Sequence, residues 1–211
     1  MSEEEKVYIS YNHVHQLIQE STPRLKKFNP DLILSVAGGG LIPARQVRTF
    51  LKEPGSPNVR VMAVVLSLYE DLGSSSTDAE KIGKQVVRTQ WLDYQNTDFT
   101  LLGKNILIVD EVDDTRTTLN YAVNELKKDV EEQAKAKGIS VEEANTNFGI
   151  FVLHNKLKPK KADLPAEVYN ETNYIAAREI EDVWIAYPWE SNDIVTHTRK
   201  AIEQGNDVFL P

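Results

Sequence analysis

The sequence predicts an α/β protein built on a Rossmann-like, mostly parallel sheet flanked by helices. Three observations carry this. Apolar runs of strand length recur along the chain. Helical spacing of apolar residues separates them, and the strongest runs are apolar throughout rather than alternating, as in strands buried on both faces. With 211 residues, 41% of them hydrophobic, the chain has the size of one domain with a substantial core. We read 1–211 as that single domain, with a small hood lobe.

The elements follow in order. Val7 to Ile9 reads as a short strand, and Val14, Leu17, Ile18, Leu25 and Phe28 then recur at helical spacing. Pro23 is a kink or break there, so the segment is one helix or two. Leu32 to Ala37 is a strand, three glycines follow, and Ala44, Val47, Phe50 and Leu51 mark a helix beginning near Pro43. Val59 to Leu66 is a strand by its β-branched run. From Asp71 to Thr89 the chain turns polar and Gly/Ser-rich, in the manner of a long mobile loop. After Gly103, the run from Asn105 to Asp110 is the most hydrophobic strand candidate. Leu119, Ala122, Val123, Leu126, Val130 and Ala134 then share a helix face, and Gly138 stands at its C-cap. Phe148 to His154 is a further core strand, a Lys/Pro-rich connector follows, and Val183 to Glu190 is a late aromatic strand or loop.

Composition excludes several functions. There are 32 acidic and 24 basic residues, a net charge of -8, which disfavours nucleic-acid binding because phosphate contacts need a concentrated basic surface. No apolar stretch approaches the ~20 residues of a membrane helix. The start MSEEEK lacks the pattern of a secretory signal, so the expected location is the cytoplasm. Zero cysteines rule out disulfides, thiolate nucleophiles and Cys-containing metal sites.

In a parallel sheet, ligands bind beyond the C-terminal strand ends. After Val109 come Asp110, Glu111, Val112, Asp113, Asp114, Thr115, Arg116, Thr117 and Thr118, then a helix. Adjacent acids can accept hydrogen bonds from vicinal hydroxyls, and an Asp/Thr loop opening a helix offers N–H groups and hydroxyls to a phosphate. An isolated Asp-Thr pair is as often a plain helix cap. Four acids and three threonines in nine residues instead describe a ribose 5-phosphate cradle. The second candidate is Ala37-Gly38-Gly39-Gly40. Alone, such a turn more often fits a helix onto a sheet; beside the Asp/Thr loop it reads as a second anion site.

The run IVDEVDDTRTTL resembles the phosphoribosyl pyrophosphate (PRPP) motif of type I phosphoribosyltransferases. With AGGGLIPAR, SLYEDL, VLHNK and WIAYPWE, nearly the whole chain is similar to the fungal hypoxanthine-guanine branch and its xanthine-using relatives. One departure is Arg116, where the phosphate loop usually has glycine. The resemblance implies the type I phosphoribosyltransferase fold and a purine salvage transferase that moves the 5-phosphoribosyl group from PRPP to N9 of hypoxanthine or guanine, giving IMP or GMP and pyrophosphate. Mg²⁺ is the implied cofactor and a homodimer the implied assembly. Asp110 and Glu111 would hold the ribose hydroxyls, directly or through Mg²⁺. Asp113, Asp114, Thr115, Arg116, Thr117 and Thr118 would belong to the PRPP site, with Asp114 also facing purine N7 as general base or acid.

The same resemblance places pyrophosphate on Ala37, Gly38, Gly39 and Gly40, often with a cis peptide at Ala37-Gly38. Cationic help there has candidates in Arg45 and Arg88. It makes Lys156 the donor to purine O6, Trp184 the stacking aromatic, Ile185 a residue whose backbone reads the base, and Glu190 an acid for a second Mg²⁺ through water. The neighbouring Lys158, Lys160 and Lys161 read as a solvated run. Ser67 and Tyr69 match a mobile lid over about 68–90, which has a chemical reason because an oxocarbenium-like centre must be kept from water. A purine-binding hood would come mainly from 155–211. Two alternatives compete: a xanthine phosphoribosyltransferase, and a non-catalytic PRPP sensor that binds nucleic acid or a protein, against which the net charge and the retained Asp114 weigh.

Overall fold

The computed structural model describes residues 6–69, 85–94 and 99–207, with 67–69, 85 and 87–88 traced as backbone only. Its elements are β1 (Lys6–Tyr8), α1 (Tyr11–Phe28), β2 (Leu32–Ala37), α2 (Leu41–Phe50), β3 (Arg60–Tyr69), β4 (Gln85–Gln90) and β5 (Asn105–Asp113). There follow α3 (Thr117–Lys137), α4 (Val141–Ala144), β6 (Asn147–Lys156), β7 (Tyr174–Ile180), β8 (Trp184–Ala186), a 3-10 turn (Pro188–Glu190) and α5 (Ile194–Glu203). The main sheet has the order β4-β3-β2-β5-β6-β7. Its strands run parallel except β4, which is antiparallel to β3.

The uninterrupted apolar runs arise because successive residues serve opposite faces. Leu32, Leu34, Ile106 and Ile108 pack with Leu119, Ala122, Val123 and Leu126 of α3. Ile33, Leu107 and Val109 pack with Val14, Leu17 and Ile18 of α1 and with Ala44 and Val47 of α2. Gly138, at φ 69, terminates α3 as expected.

One open reading is settled and others are corrected. α1 is one helix through Pro23, its last turns held by the buried Leu25 and Phe28. The segment read as a loop up to Thr89 contains β4, since its Val86 is buried and its backbone pairs with the end of β3; the rest of that loop, 70–84, lies outside the described residues. β7 and α5 were not anticipated. β7 places two adjacent charged residues, Arg178 and Glu179, after two alanines and buries only Ile175, and α5, although amphipathic, buries only His197 and Ala201, so neither puts a run of large apolar residues into the core.

The N-terminal strand joins β8 and α5 in a second, two-stranded unit beside the main sheet. β1 pairs in parallel with β8, the Ile9 N–H donates to Ala186 O at 3.1 Å, and His197 Nε2 lies 2.9 Å from Ile9 O. β7 belongs to the main sheet. Among the described residues no helix is long and apolar enough to cross a membrane.

Candidate active site

β5 continues three residues past Asp110, because Val112 and Asp113 extend the ladder to His154 and Asn155 of β6. Asp110 Oδ1 accepts the Glu111 N–H at 2.8 Å. Burial pushes the Asp110 carboxyl up to about 8, against that hydrogen bond and with help from the Glu111 and Asp113 charges. Glu111 is pushed up to about 7, again chiefly by burial; the Trp189 indole N–H, 2.8 Å from Oε2, opposes the shift, while the Glu190 charge adds to it.

Two hood aromatics hold Glu111. Trp189 binds its carboxylate, and the Tyr187 hydroxyl donates to its carbonyl at 3.0 Å. The two rings stack at 4.8 Å and 6°. Since the phenol has one proton, His154 Nδ1, 2.9 Å from the Tyr187 oxygen, is the donor in that pair. Burial lowers the His154 pKa to about 4, with the nearby His13 and Arg178 charges contributing, so the ring is neutral.

The glycine loop abuts this acid. The Ala37-Gly38 peptide is cis. A Cβ on Gly39 would overlap the Glu111 carboxyl, and one on Gly40 the carbonyls of Val36 and Val109. Gly40 N–H donates to Val36 O at 3.0 Å and Leu41 N–H to Gly38 O at 3.4 Å; the N–H groups of Gly38 and Gly39 have no acceptor among the described residues. Arg45 reaches along α2 to Thr49 Oγ1 at 2.7 Å. Nothing is described of the Arg88 side chain, nor of Ser67 and Tyr69 beyond their backbone in β3.

From Asp114 to Thr118 the N–H groups likewise lack acceptors among the described residues. The Thr115 and Thr117 hydroxyls lie 3.0 Å apart, and Thr118 is half-buried in the first turn of α3. Two residues expected in the phosphate loop are used otherwise. Asp113 is 1% exposed, and its Oδ2 accepts Arg116 Nε at 2.9 Å, Arg116 Nη2 at 2.9 Å and the Tyr174 hydroxyl at 2.6 Å. The Arg116 charge is therefore spent on Asp113, beneath the loop, because the apolar surroundings demand that both be paired.

At the base site Lys156, with a side chain 14% exposed, has its Nζ 3.7 Å from Asp114 Oδ1 and 3.4 Å from Asp182 Oδ1. Lys158 is closer to both, at 2.7 and 2.9 Å. Lys160 donates to the carbonyls of Asp113, Asp114 and Lys156 at 2.8, 3.0 and 2.8 Å, and burial lowers its pKa. The solvated-run reading therefore fails for Lys158 and Lys160. Their close spacing to Lys156 in the sequence was the available signal.

Trp184 is 54% exposed rather than core, with Lys6 Nζ 5.5 Å from its ring centre. Ile185 is buried beside it in β8, opposite Val7. Glu190 is exposed, its Oε2 3.4 Å from Tyr187 N. Among the described residues no three His, Cys, Asp or Glu side chains gather as a metal site, so Asp110, Glu111 and Glu190 do not form a ready-made cage. Asp182, Trp189 and Tyr187 join the site unforeseen.

A largely parallel sheet whose strand ends carry paired acids, a turn of free N–H groups at a helix start and a glycine loop describes a phosphoribosyltransferase of type I. The chain is 64% identical over 215 residues to hypoxanthine-guanine phosphoribosyltransferase of Saccharomyces cerevisiae, covering 100% of this chain and 97% of the relative. It is 51% identical over 213 residues to xanthine phosphoribosyltransferase 1 of the same yeast, covering 98% and 100%. Among solved structures, a hypothetical protein from Neisseria gonorrhoeae with bound ppGpp superposes with a TM-score of 0.72 at 30% identity, covering 97% of this chain and 99% of that one. No family model matches the sequence. The chain belongs to the hypoxanthine-guanine phosphoribosyltransferase family.

Proposed function

We propose that this chain moves the 5-phosphoribosyl group of PRPP to N9 of hypoxanthine or guanine, with Asp114 as the proton acceptor and the turn from Asp114 to Thr118 as the 5-phosphate site. One observation supports the assignment: the N–H groups from Asp114 to Thr118, without acceptors among the described residues, open α3, and the Asp114 carboxyl of that same turn lies 3.7 Å from the Lys156 ammonium. Phosphate and base therefore flank one carboxylate.

The chemistry follows from that order. The N9 lone pair forms the bond to C1, the bond from C1 to pyrophosphate oxygen breaks with its electrons leaving on pyrophosphate, and configuration at C1 inverts. N7 loses its proton to Asp114 as the base becomes an N9 glycoside. Lys156 donates to O6, Trp184 stacks on the base, and Ile185 offers its backbone to the base edge. The free N–H groups of Gly38 and Gly39 receive pyrophosphate.

Asp110 and Glu111 suit Mg²⁺. They are adjacent hard oxygen donors, both raised by burial and without a cationic protein partner among the described residues. Mg²⁺ is commonly held by one or two carboxylates with substrate phosphates and water completing the shell. Bound there it would neutralise charge on pyrophosphate, and Glu190 would serve a second ion through water. On this reading the chain pairs as a homodimer, which light scattering checks.

The 51% identity to a xanthine-using relative favours a second reading, xanthine as base, since a lysine at O6 serves all three 6-oxopurines. A pyrophosphate-release assay with PRPP and Mg²⁺ against hypoxanthine, guanine, xanthine and adenine decides. Turnover with hypoxanthine and guanine is expected. Turnover with xanthine alone installs the second reading, and none with any 6-oxopurine removes both.

A further inference from the structure

Residue 116 adopts φ 68 and ψ -1 at the N-cap of α3, a left-handed conformation that glycine takes freely and arginine does not. Something must hold it. The Arg116 side chain is 7% exposed, its guanidinium is bound to Asp113, and it lies 4.3 Å from the ring centre of Tyr169 and 5.4 Å from that of Tyr174. Asp113 Oδ1, the oxygen turned from arginine, faces Lys160 Nζ at 3.6 Å.

Lys160 and its neighbour also fix the loop's peptide planes. The carbonyls of Asp113 and Asp114 accept from Lys160 Nζ, and the carbonyl of Thr115 accepts from the Lys161 N–H at 3.0 Å. In a trans peptide the N–H points opposite the C=O. Turning three successive carbonyls toward the 160–161 segment therefore turns the N–H groups of residues 114, 115 and 116 away from it. Those are among the N–H groups without an acceptor.

We propose that Arg116 and Lys160 are positioning residues that hold the phosphate loop in its anion-accepting conformation from behind, through Asp113 and the loop carbonyls, without touching the ligand. This rests on the loop being the 5-phosphate site. Lys160 also holds the carbonyl of Lys156, so loop and base lysine share one anchor. Preorganised donors bind phosphate without reorganising, and a small misplacement of them is costly.

The test compares binding of GMP and guanosine, and competition by ribose 5-phosphate, on full-length variants whose thermal unfolding is recorded. Arg116→Gly, which keeps the backbone freedom and loses the guanidinium, should weaken GMP binding about 10-fold or more while changing guanosine binding little, and Lys160→Met, which also releases the Lys156 carbonyl, should weaken both but GMP by the larger factor. Lys160→Arg should recover part of the loss. Lower melting temperatures with an unchanged GMP to guanosine ratio would make both residues merely structural and overturn the proposal. Should these variants not fold, Tyr174→Phe, which removes only the hydroxyl on Asp113 Oδ2, takes their place: weaker GMP binding supports the lock and an unchanged ratio overturns it. Thr117→Val separates this from the underlying reading. If it leaves GMP binding intact and ribose 5-phosphate does not compete, the loop is not the phosphate site; if it weakens GMP while the lock variants bind as wild type, only the lock is wrong.

Discussion

Lys158 Nζ lies 2.7 Å from Asp114 Oδ1, nearer than Lys156 at 3.7 Å, and the same ammonium is 2.9 Å from Asp182. Asp114 is thus paired with a cation where purine N7 has to come. A base that enters competes with this pair, and Asp182 is where the displaced ammonium goes. Partly exposed ion pairs contribute at most ~1 kcal/mol, so Lys158→Met should lower the purine KM by up to about 5-fold and reduce its salt dependence. Steady-state kinetics at two ionic strengths measures this. A raised purine KM would mean that Lys158 holds the base instead.

Removing the acceptor itself has a different signature. Asp114→Asn keeps the size and the loop, so PRPP binding should persist. The proton of N7 then has nowhere to go, and kcat should fall by ~10² to 10⁴. Near-wild-type kcat in this variant would reduce Asp114 to a partner for Lys158.

The sheet was legible in the sequence because β2, β5 and β6 are buried on both faces through their central stretches, such as Ile106–Val109 of β5, and are almost wholly apolar there. β4 was not, because Gln85–Gln90 earns its place by backbone pairing with β3 rather than by an apolar pattern. The phosphate loop was legible for a similar reason: its acids and threonines sit together in the chain. Asp182, Tyr187 and Trp189 were hidden as partners, since each meets its site across a long separation, Trp189 to Glu111 for example. Arg116 shows the limit most clearly. Its place in the motif implied a part in the PRPP site, whereas its burial against Asp113 could come only from the fold.

His154 supplies a pH dependence. Its pKa in the folded chain is about 4 against 6.5 as the ordinary value, so between these the unfolded chain binds a proton that the folded chain refuses. Its contribution to stability is present above about 6.5 and is lost as pH falls toward about 4, amounting to roughly 3 kcal/mol over the window. Asp110 and Glu111, raised to about 8 and 7, act with opposite sign without metal, so wild type alone does not isolate the effect. His154→Asn, whose amide can replace the Nδ1–H donor to Tyr187, should show a smaller loss of stability on acidification from pH 6.5 to 4.5. Urea unfolding across that range measures it, and parallel curves for the two proteins would assign the titration elsewhere.

The last prediction concerns which bases are refused. Lys156 is largely buried between two carboxylates, Asp114 and Asp182, that aim its ammonium. An ammonium has three donors and no acceptor, so it satisfies a 6-oxo group and meets only donors on the 6-amino group of adenine. Facing adenine, it forgoes its hydrogen bond while its desolvation cost remains, and sites built this way discriminate by ~10⁴ or more. Hypoxanthine should therefore react and adenine should not. Lys156→Gln can present an acceptor, and it also leaves Asp182 to Lys158 alone, so the gap should narrow chiefly by loss of the 6-oxopurines. Measuring kcat/KM for hypoxanthine and adenine on both proteins decides it. An unchanged ratio in the variant would pass the reading of O6 to Lys158, the only other ammonium paired with both Asp114 and Asp182 among the described residues.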